Sequence, residues 1–172
     1  MITLLTTSDL LSSLVYKFVP QGSVSMIDQV KIELESCLRH YGWQYQVVNQ
    51  TQIVTGWQGA ERSYPLRIEI CDSWLELRVE PFLGILIDWD TWPELAVQLL
   101  KMNDSSSFVR LSIAGDGRIC LNCEVLCSTL SFEVFDNTIG LIGHYSDIIY
   151  DQILEVMDQI GYNYCEPLNI LT

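Results

Sequence analysis

Basic residues are scarce in this sequence. Lys and Arg number 9 and Asp and Glu number 22, so the formal charge is 9 − 22 = −13. A surface this negative repels phosphate groups, and we therefore expect neither nucleic acid nor an anionic membrane as a direct partner. A basic protein or peptide segment stays open as a partner, beside a plain role of the charge in solubility.

The sequence also lacks a typical export signal and a membrane-spanning run. Residues 1–19 are apolar, but Lys17 is their first cation, and Ser8 and Asp9 interrupt the run. No stretch has the length and purity of a membrane span. We therefore expect a soluble, cytoplasmic protein whose six cysteines are reduced and pack mostly as small apolar side chains.

Histidines and glycine-rich phosphate loops are few or absent. The two histidines, His40 and His144, each lie beside a tyrosine in a predicted helix, away from any evident catalytic partner. The segment 115–117 (Gly-Asp-Gly) lies between two predicted strands, where a hairpin turn is expected, and not between a strand and a helix. The sequence therefore predicts no enzyme and no cofactor.

Three predicted helices have clear apolar periodicity. Residues 26–41 follow an N-cap at Ser25 and stop at Gly42. A second helix begins near Trp92, and a long third one runs over residues 132–160, with a break or bend open at Gly140, Gly143 or residues 145–147. We expect an N-terminal extension with a short helix (1–24), a single domain (25–161) and a C-terminal tail (162–172).

Between these helices, apolar and polar residues alternate, as is typical of strands with one buried face. The alternation covers residues 43–48, 52–57, 66–70, 75–80, 109–113 and 119–125, while 82–87 is interpreted as an apolar connector. The predicted class is α+β, an antiparallel sheet of about five strands with helices on one face.

Two hairpins allow a prediction of register. A three-residue loop at 115–117 places Ile113 opposite Ile119 and requires positive φ at Gly117. At the Asp72-Ser73 turn, two registers keep the apolar face together. We favour the one with Ile70 opposite Leu77, because it pairs Glu69 with Arg78 and not with Glu76.

Two short motifs suggest chemistry that their context disfavours. Cys120 and Cys123, with Cys127 nearby, have the spacing of a metal-site fragment, but residues three apart on a strand point to opposite faces. We therefore predict no metal. Asp88 and Asp90 after an apolar run resemble a phosphatase motif without its parallel sheet, and Asp90 also suits a helix cap.

Five tryptophans are present, and most are expected in the core or half-buried. Trp57, beside a Gly/Gln loop, and the pair Trp89 and Trp92 are the candidates for a binding surface, because aromatic residues are enriched at interfaces.

Residues 95–150 resemble the YbjN-like family of proposed bacterial sensory transduction regulators, whose fold is similar to that of type III secretion chaperones. The matching segments are the helix end at 99–103, the strand at 108–113, the turn and return at 116–119, and the start of the last helix at Leu130 and Ser131. The resemblance implies a compact, often dimeric domain that holds peptide segments, and it carries no catalytic motif.

The resulting hypothesis is a non-enzymatic, chaperone-like or regulatory module that binds a protein or peptide, with a homodimer as the expected assembly. A homodimer is expected because the last helix is apolar over more than one stripe, including Ile148 and Leu154, and residues 1–18 are apolar too. The alternative is a small enzyme or ligand-binding protein with a pocket between the sheet and the last helix. A third hypothesis is a structural subunit of a larger complex.

Overall fold

The computed structural model describes residues 25–83 and 92–161. The order of elements is α1 (Met26–Tyr41), β1 (Gln46–Val47), β2 (Gln52–Gln58), β3 (Ser63–Cys71), β4 (Trp74–Leu83), α2 (Trp92–Ser105), β5 (Arg110–Ile113), β6 (Ile119–Leu126), a 3-10 turn (Cys127–Thr129) and α3 (Phe132–Gln159). This is the predicted α+β class. Over the part of the chain described, no helix combines the length and apolarity that crossing a bilayer requires.

The helix boundaries follow from local chemistry. The Ser25 side chain accepts a hydrogen bond from the Asp28 backbone N–H at the start of α1, and Gly42 closes that helix at φ 69°. Ser131 caps α3 in the same way through the Val134 N–H. The predicted limits of α1 are confirmed, and α3 continues without interruption through Gly140 and Gly143.

Within the described residues, six antiparallel strands form one sheet in the order β1-β2-β3-β4-β6-β5. Each of the six segments with alternating residues overlaps one of these strands, so the count is one above the expected number of about five. The first is only Gln46–Val47, and Trp43 and Tyr45 precede it and pack against the core. Phe82 and Leu83, interpreted as part of a connector, instead end β4 as buried residues after a register shift.

The hairpin at 115–117 is confirmed in detail. Ile113 pairs with Ile119 and Leu111 with Leu121, and Gly117 has φ 87°. The Ala114 N–H donates to the Arg118 carbonyl, which closes a three-residue loop.

The preferred register at Asp72 and Ser73 is wrong. Cys71 pairs with Trp74, so a two-residue turn places Ile70 opposite Leu75 and Glu69 opposite Glu76. Asp72 adopts φ 40°, the left-handed conformation that such a tight turn needs. The charges find partners by other routes, since Arg67 Nη2 lies 2.9 Å from Glu80 and Arg78 Nη2 lies 2.6 Å from Glu76.

The three helices of the described residues pack on one face of the sheet. Leu34 and Leu38 of α1, Leu95 of α2, and Phe135 and Ile153 of α3 are at most 1% exposed in this layer. The inward residues of β3, β4 and β6 meet them. On the opposite face, which we call the outer face, the alternate side chains of each strand point away from these helices.

Candidate functional site

The outer face carries three rows of side chains that run across the strands. The strand register aligns each row, and one chemical character predominates in each. The apolar row is Cys71, Trp74 and Leu126. The acidic row is Glu69, Glu76 and Glu124. The basic row is Arg67, Arg78, Asn122 and Arg110.

The apolar row lies next to the Asp72–Ser73 turn. Trp74 is 45% exposed and Leu126 is 41% exposed, and Cys71 is also exposed. Adjacent strands bring these side chains to about 5 Å from one another, so they form one patch. A contiguous apolar patch with a tryptophan is typical of a protein contact surface.

The acidic row borders this patch, two residues further along each strand. Among the described residues, neither Glu69 nor Glu124 has a cationic partner, while Glu76 pairs with Arg78 at 2.6 Å. Burial raises the pKa of the Cys71 thiol, and the charges of Glu69, Glu76 and Asp72 add to that rise. This end of the outer face is therefore a region of negative potential.

Arg67 and Arg78 of the basic row have carboxylate partners within the chain, whereas Arg110 donates to backbone carbonyls. Arg67, Arg78 and Arg118 converge on Glu80, at 2.9, 3.9 and 3.2 Å, and the Glu80 side chain is only 8% exposed. Cys120 is buried beside these groups, and its pKa is raised first by burial and then by the charge of Glu80. In this part of the outer face, the arginines around Glu80 are therefore engaged in ion pairs within the chain.

The two cysteines of the metal-like motif lie on opposite faces, as the strand geometry predicted. Cys123 is in the core opposite Leu77, and burial raises its pKa to about 11. Cys120 faces the arginines of the other side. Within residues 25–83 and 92–161, no three acidic, cysteine or histidine side chains approach closely enough to hold a metal ion.

Trp57, a predicted binding residue, lies in a row of aromatic rings beneath α3. Its ring centroid is 6.3 Å from that of Trp43 and 5.2 Å from that of Tyr64, and its indole Nε1 borders Gly143 of α3. Trp57 is half-buried, and Trp92 is also half-buried against the core at the start of α2. Trp89 lies outside the described residues. A binding role for the three stays a prediction.

Trp74 was not among the predicted binding residues, although it is the exposed tryptophan of the apolar row. The sequence pattern already indicated that Trp74 points outward, because Leu75, Leu77 and Val79 point inward and residues alternate along a strand. Its alignment with Leu126 was not readable, because β4 and β6 are separated by α2 and β5 in the chain.

A polar cluster joins the β2–β3 hairpin to α3. The Tyr64 hydroxyl donates to Asp147 at 2.8 Å, and the Ala60 N–H donates to the same carboxylate at 3.4 Å. Burial, and then the bond to Asp147, raises the pKa of Tyr64 well above its usual range. Gly59 allows this close approach, because a Cβ there would lie 2.6 Å from the Tyr64 ring. Tyr64 thus stays a proton donor that fixes the hairpin.

A shallow groove of about 340 Å³ lies between the start of α2 and the end of α3. Pro93, Val97 and Ile160 supply its apolar lining, with Glu94 and Gln98 beside them. This is not the predicted position between the sheet and α3, where residues such as Phe135, Ile142 and Ile153 are packed.

No protein-family model matches the chain, and no curated protein matches it in sequence. Among solved structures, YbjN from E. coli, described as a proposed transcription regulator, is similar with a TM-score of 0.52 and 15% identity over 73% of this chain and 90% of that one. The predicted resemblance is confirmed as a likeness of fold.

Two further structures are similar at lower scores. One is a chain of the heterodimeric ExoU–SpcU complex from the type III secretion system of Pseudomonas aeruginosa, with a TM-score of 0.49 and 17% identity over 72% of this chain and 96% of that one. The other is the Yersinia pestis type III secretion chaperone SycH in complex with a fragment of YscM2, with a TM-score of 0.48 and 11% identity over 69% and 98%.

Proposed function

We propose that this chain is a non-enzymatic, chaperone-like or regulatory module that binds a polypeptide segment of another protein on the outer face of its sheet. The observation that carries the proposal is the exposed apolar row, Cys71, Trp74 and Leu126, bordered by the acidic row. Exposed tryptophan at the centre of such a patch supplies much of the binding free energy in protein interfaces.

The shape of this surface favours a macromolecule over a small substrate. Small-molecule sites are concave and surround their ligand, whereas the outer face is one side of a sheet. On the helix side, the contact of Tyr64 with Asp147 fixes a hairpin to α3, and Tyr64 is only 1% exposed. The fold likeness to YbjN, a proposed regulator, supports the same class of function.

The test is selection of binding peptides from a random displayed library, followed by measurement of their affinity for Trp74→Ala. Loss of Trp74 is expected to weaken the selected peptides roughly thirtyfold, the effect typical of a central hot-spot residue. Ile32→Ala is the matched control, because Ile32 is 61% exposed but lies on α1. Peptides that bind both variants as well as the original chain would contradict the proposal.

We also propose that the chain forms a homodimer and acts in the cytoplasm, where the thiols of the described cysteines stay reduced. Exposed apolar side chains on α2 support self-association, with Val97 at 50% and Leu100 at 67%. Leu100→Glu is expected to convert a dimer to a monomer in sedimentation equilibrium. A monomeric mass for the original chain at high concentration would overturn this part of the proposal.

A further inference from the structure

We infer that the segment bound on the outer face is cationic and amphipathic, with Lys or Arg side chains over the acidic row and an apolar side chain against Trp74 and Leu126. The inference rests on the proposed function and adds the chemistry of the partner. Its basis is the charge of Glu69 and Glu124, which have no cationic partner among the described residues, beside an exposed apolar row.

The acidic row is electrostatically unfavourable in the free chain. Glu69, Glu76 and Glu124 are direct neighbours on three adjacent strands, and like charges at such positions destabilise a sheet. Of these three glutamates, only Glu76 has an arginine within ion-pair distance among the described residues. A bound cation relieves the repulsion, so complementary charge gives a basic ligand both affinity and faster association.

The spacing of the two rows selects a ligand that is apolar and cationic at once. The rows are two residues apart along each strand, which is about 7 Å. Residues i and i+2 of an extended peptide have the same spacing and point to the same side. A peptide that places leucine at one such position and lysine at the next therefore meets both rows.

Other occupants match this surface less well. Residues 1–24 of the chain itself contain one cation, Lys17, and one acid, Asp9, so they bring no net positive charge to three carboxylates. A second copy of the chain carries a net charge of −13 and meets the acidic row with repulsion. A basic segment of another protein is the occupant that the charges favour.

The first experiment uses three fluorescein-labelled peptides and fluorescence anisotropy. The first, the Leu/Lys peptide, repeats Leu-Ser-Lys-Ser, so that leucine and lysine occupy positions i and i+2 on the same side. The second replaces lysine by glutamate, and the third replaces leucine by serine. The Leu/Lys peptide is expected to bind, more weakly as salt rises, because exposed charge pairs are screened. Equal affinity for the Leu/Glu peptide would overturn the inference, and equal affinity for the peptide in which serine replaces leucine would remove the apolar contact from it.

Variants of the chain locate the binding. Glu69→Gln with Glu124→Gln is expected to weaken the Leu/Lys peptide about 1.5- to fivefold for each glutamate and to flatten its salt dependence. The control, Glu133→Gln with Glu155→Gln, makes the same change of net charge at two exposed positions of α3 and is expected to have little effect. An equal loss in both double variants would mean general attraction and not a site.

Alkylation of Cys71 tests independently where the peptide binds. This residue is exposed in the apolar row, so the bound Leu/Lys peptide is expected to slow its alkylation severalfold, measured by mass spectrometry of the Cys71 peptide. Unchanged alkylation at saturating peptide would contradict binding at this row.

The displayed library separates failure of the inference from failure of the proposed function. Peptides that need Trp74 and are enriched in Lys and Arg support both. Peptides that need Trp74 without such enrichment overturn the cationic partner and leave the protein-binding face standing. If no selected peptide needs Trp74, both proposals fail.

Discussion

The two faces of the sheet are made by the same strands and differ in nearly every physical respect. On the inner face Leu75, Leu77 and Val79 are fully buried beneath the helices. On the outer face of the same strand, Trp74 and Glu76 reach solvent, and only Glu80 is nearly enclosed. The comparison teaches that stability resides in one face and that the other is free to carry recognition, since surface substitutions cost little.

Substitution of one residue on each face of β4 tests this division directly. Leu77→Ala is expected to lower the free energy of unfolding by about 2–5 kcal/mol, because it leaves a cavity in a packed core. Trp74→Ala is expected to change it by no more than about 0.5 kcal/mol. Urea unfolding followed by circular dichroism measures both. A large loss for Trp74→Ala would place Trp74 in the folding core and weaken its assignment to recognition.

Glu80 lies on the outer face, but its side chain is nearly buried. Glu80→Gln keeps the shape and removes the charge that Arg67, Arg78 and Arg118 surround. Since those arginines are a quarter to two-fifths exposed, the expected loss is about 1–3 kcal/mol and not the larger value of a fully buried pair. Glu155→Gln, on an exposed position of α3, is the control and should be neutral. Equal stability of the two variants would show that solvent already screens the network.

The pH dependence of stability provides a second comparison of the two faces, with the buried Cys123 on one and the exposed Cys71 on the other. Burial raises the pKa of Cys123 from 9.0 to about 11, so the folded chain keeps this proton after the unfolded chain has lost it. The contribution of Cys123 to stability is therefore complete below pH 9 and falls as pH rises toward 11, by about 1–3 kcal/mol. Chemical unfolding between pH 8 and 11 is expected to show a shallower decline in Cys123→Ala.

Cys71→Ala is the matched control for this measurement, because Cys71 is exposed on the outer face and burial shields it far less. Its pH profile should stay close to that of the original chain. Parallel profiles for Cys123→Ala and the original chain would refute the assignment of the alkaline decline to the inner face.

The smallest expected effect concerns the acidic row, and its sign is informative. Glu69→Gln with Glu124→Gln is expected to raise the free energy of unfolding, by up to about 1 kcal/mol, because it removes repulsion between aligned carboxylates. Thermal unfolding at low salt measures the gain, which should shrink at high salt. A loss of stability would mean that the row serves the fold and not a partner.

Much of the architecture was predictable from local patterns. The caps at Ser25 and Gly42 delimit α1, and the three-residue loop at 115–117 sets the β5–β6 pairing, because each depends on residues adjacent in the chain. The register at Asp72 and Ser73 was mispredicted for the opposite reason. Charge pairing along and between strands offered Arg67 and Arg78 several partners, so cross-strand charge did not decide between registers.

The candidate site was the least predictable part. Two of the predicted binding residues, Trp57 and Trp92, are half-buried against the core. Trp74 was outward by alternation, but a single outward tryptophan on a strand says nothing about its neighbours. What makes it part of a surface is Leu126, a residue 52 positions away whose pairing the sequence does not reveal.

The sequence by itself determined which side of each strand is apolar, where the described helices begin and end, and that the chain is strongly acidic, because these depend on residue type and on spacing of two to four residues. Only the tertiary structure decided that β6 enters the sheet beside β4 and that the β3–β4 turn has two residues. Those two decisions align three glutamates and bring Trp74 beside Leu126. The physical reason is that pairing between distant strands is selected by the packing of the whole core, and the outer rows follow from it.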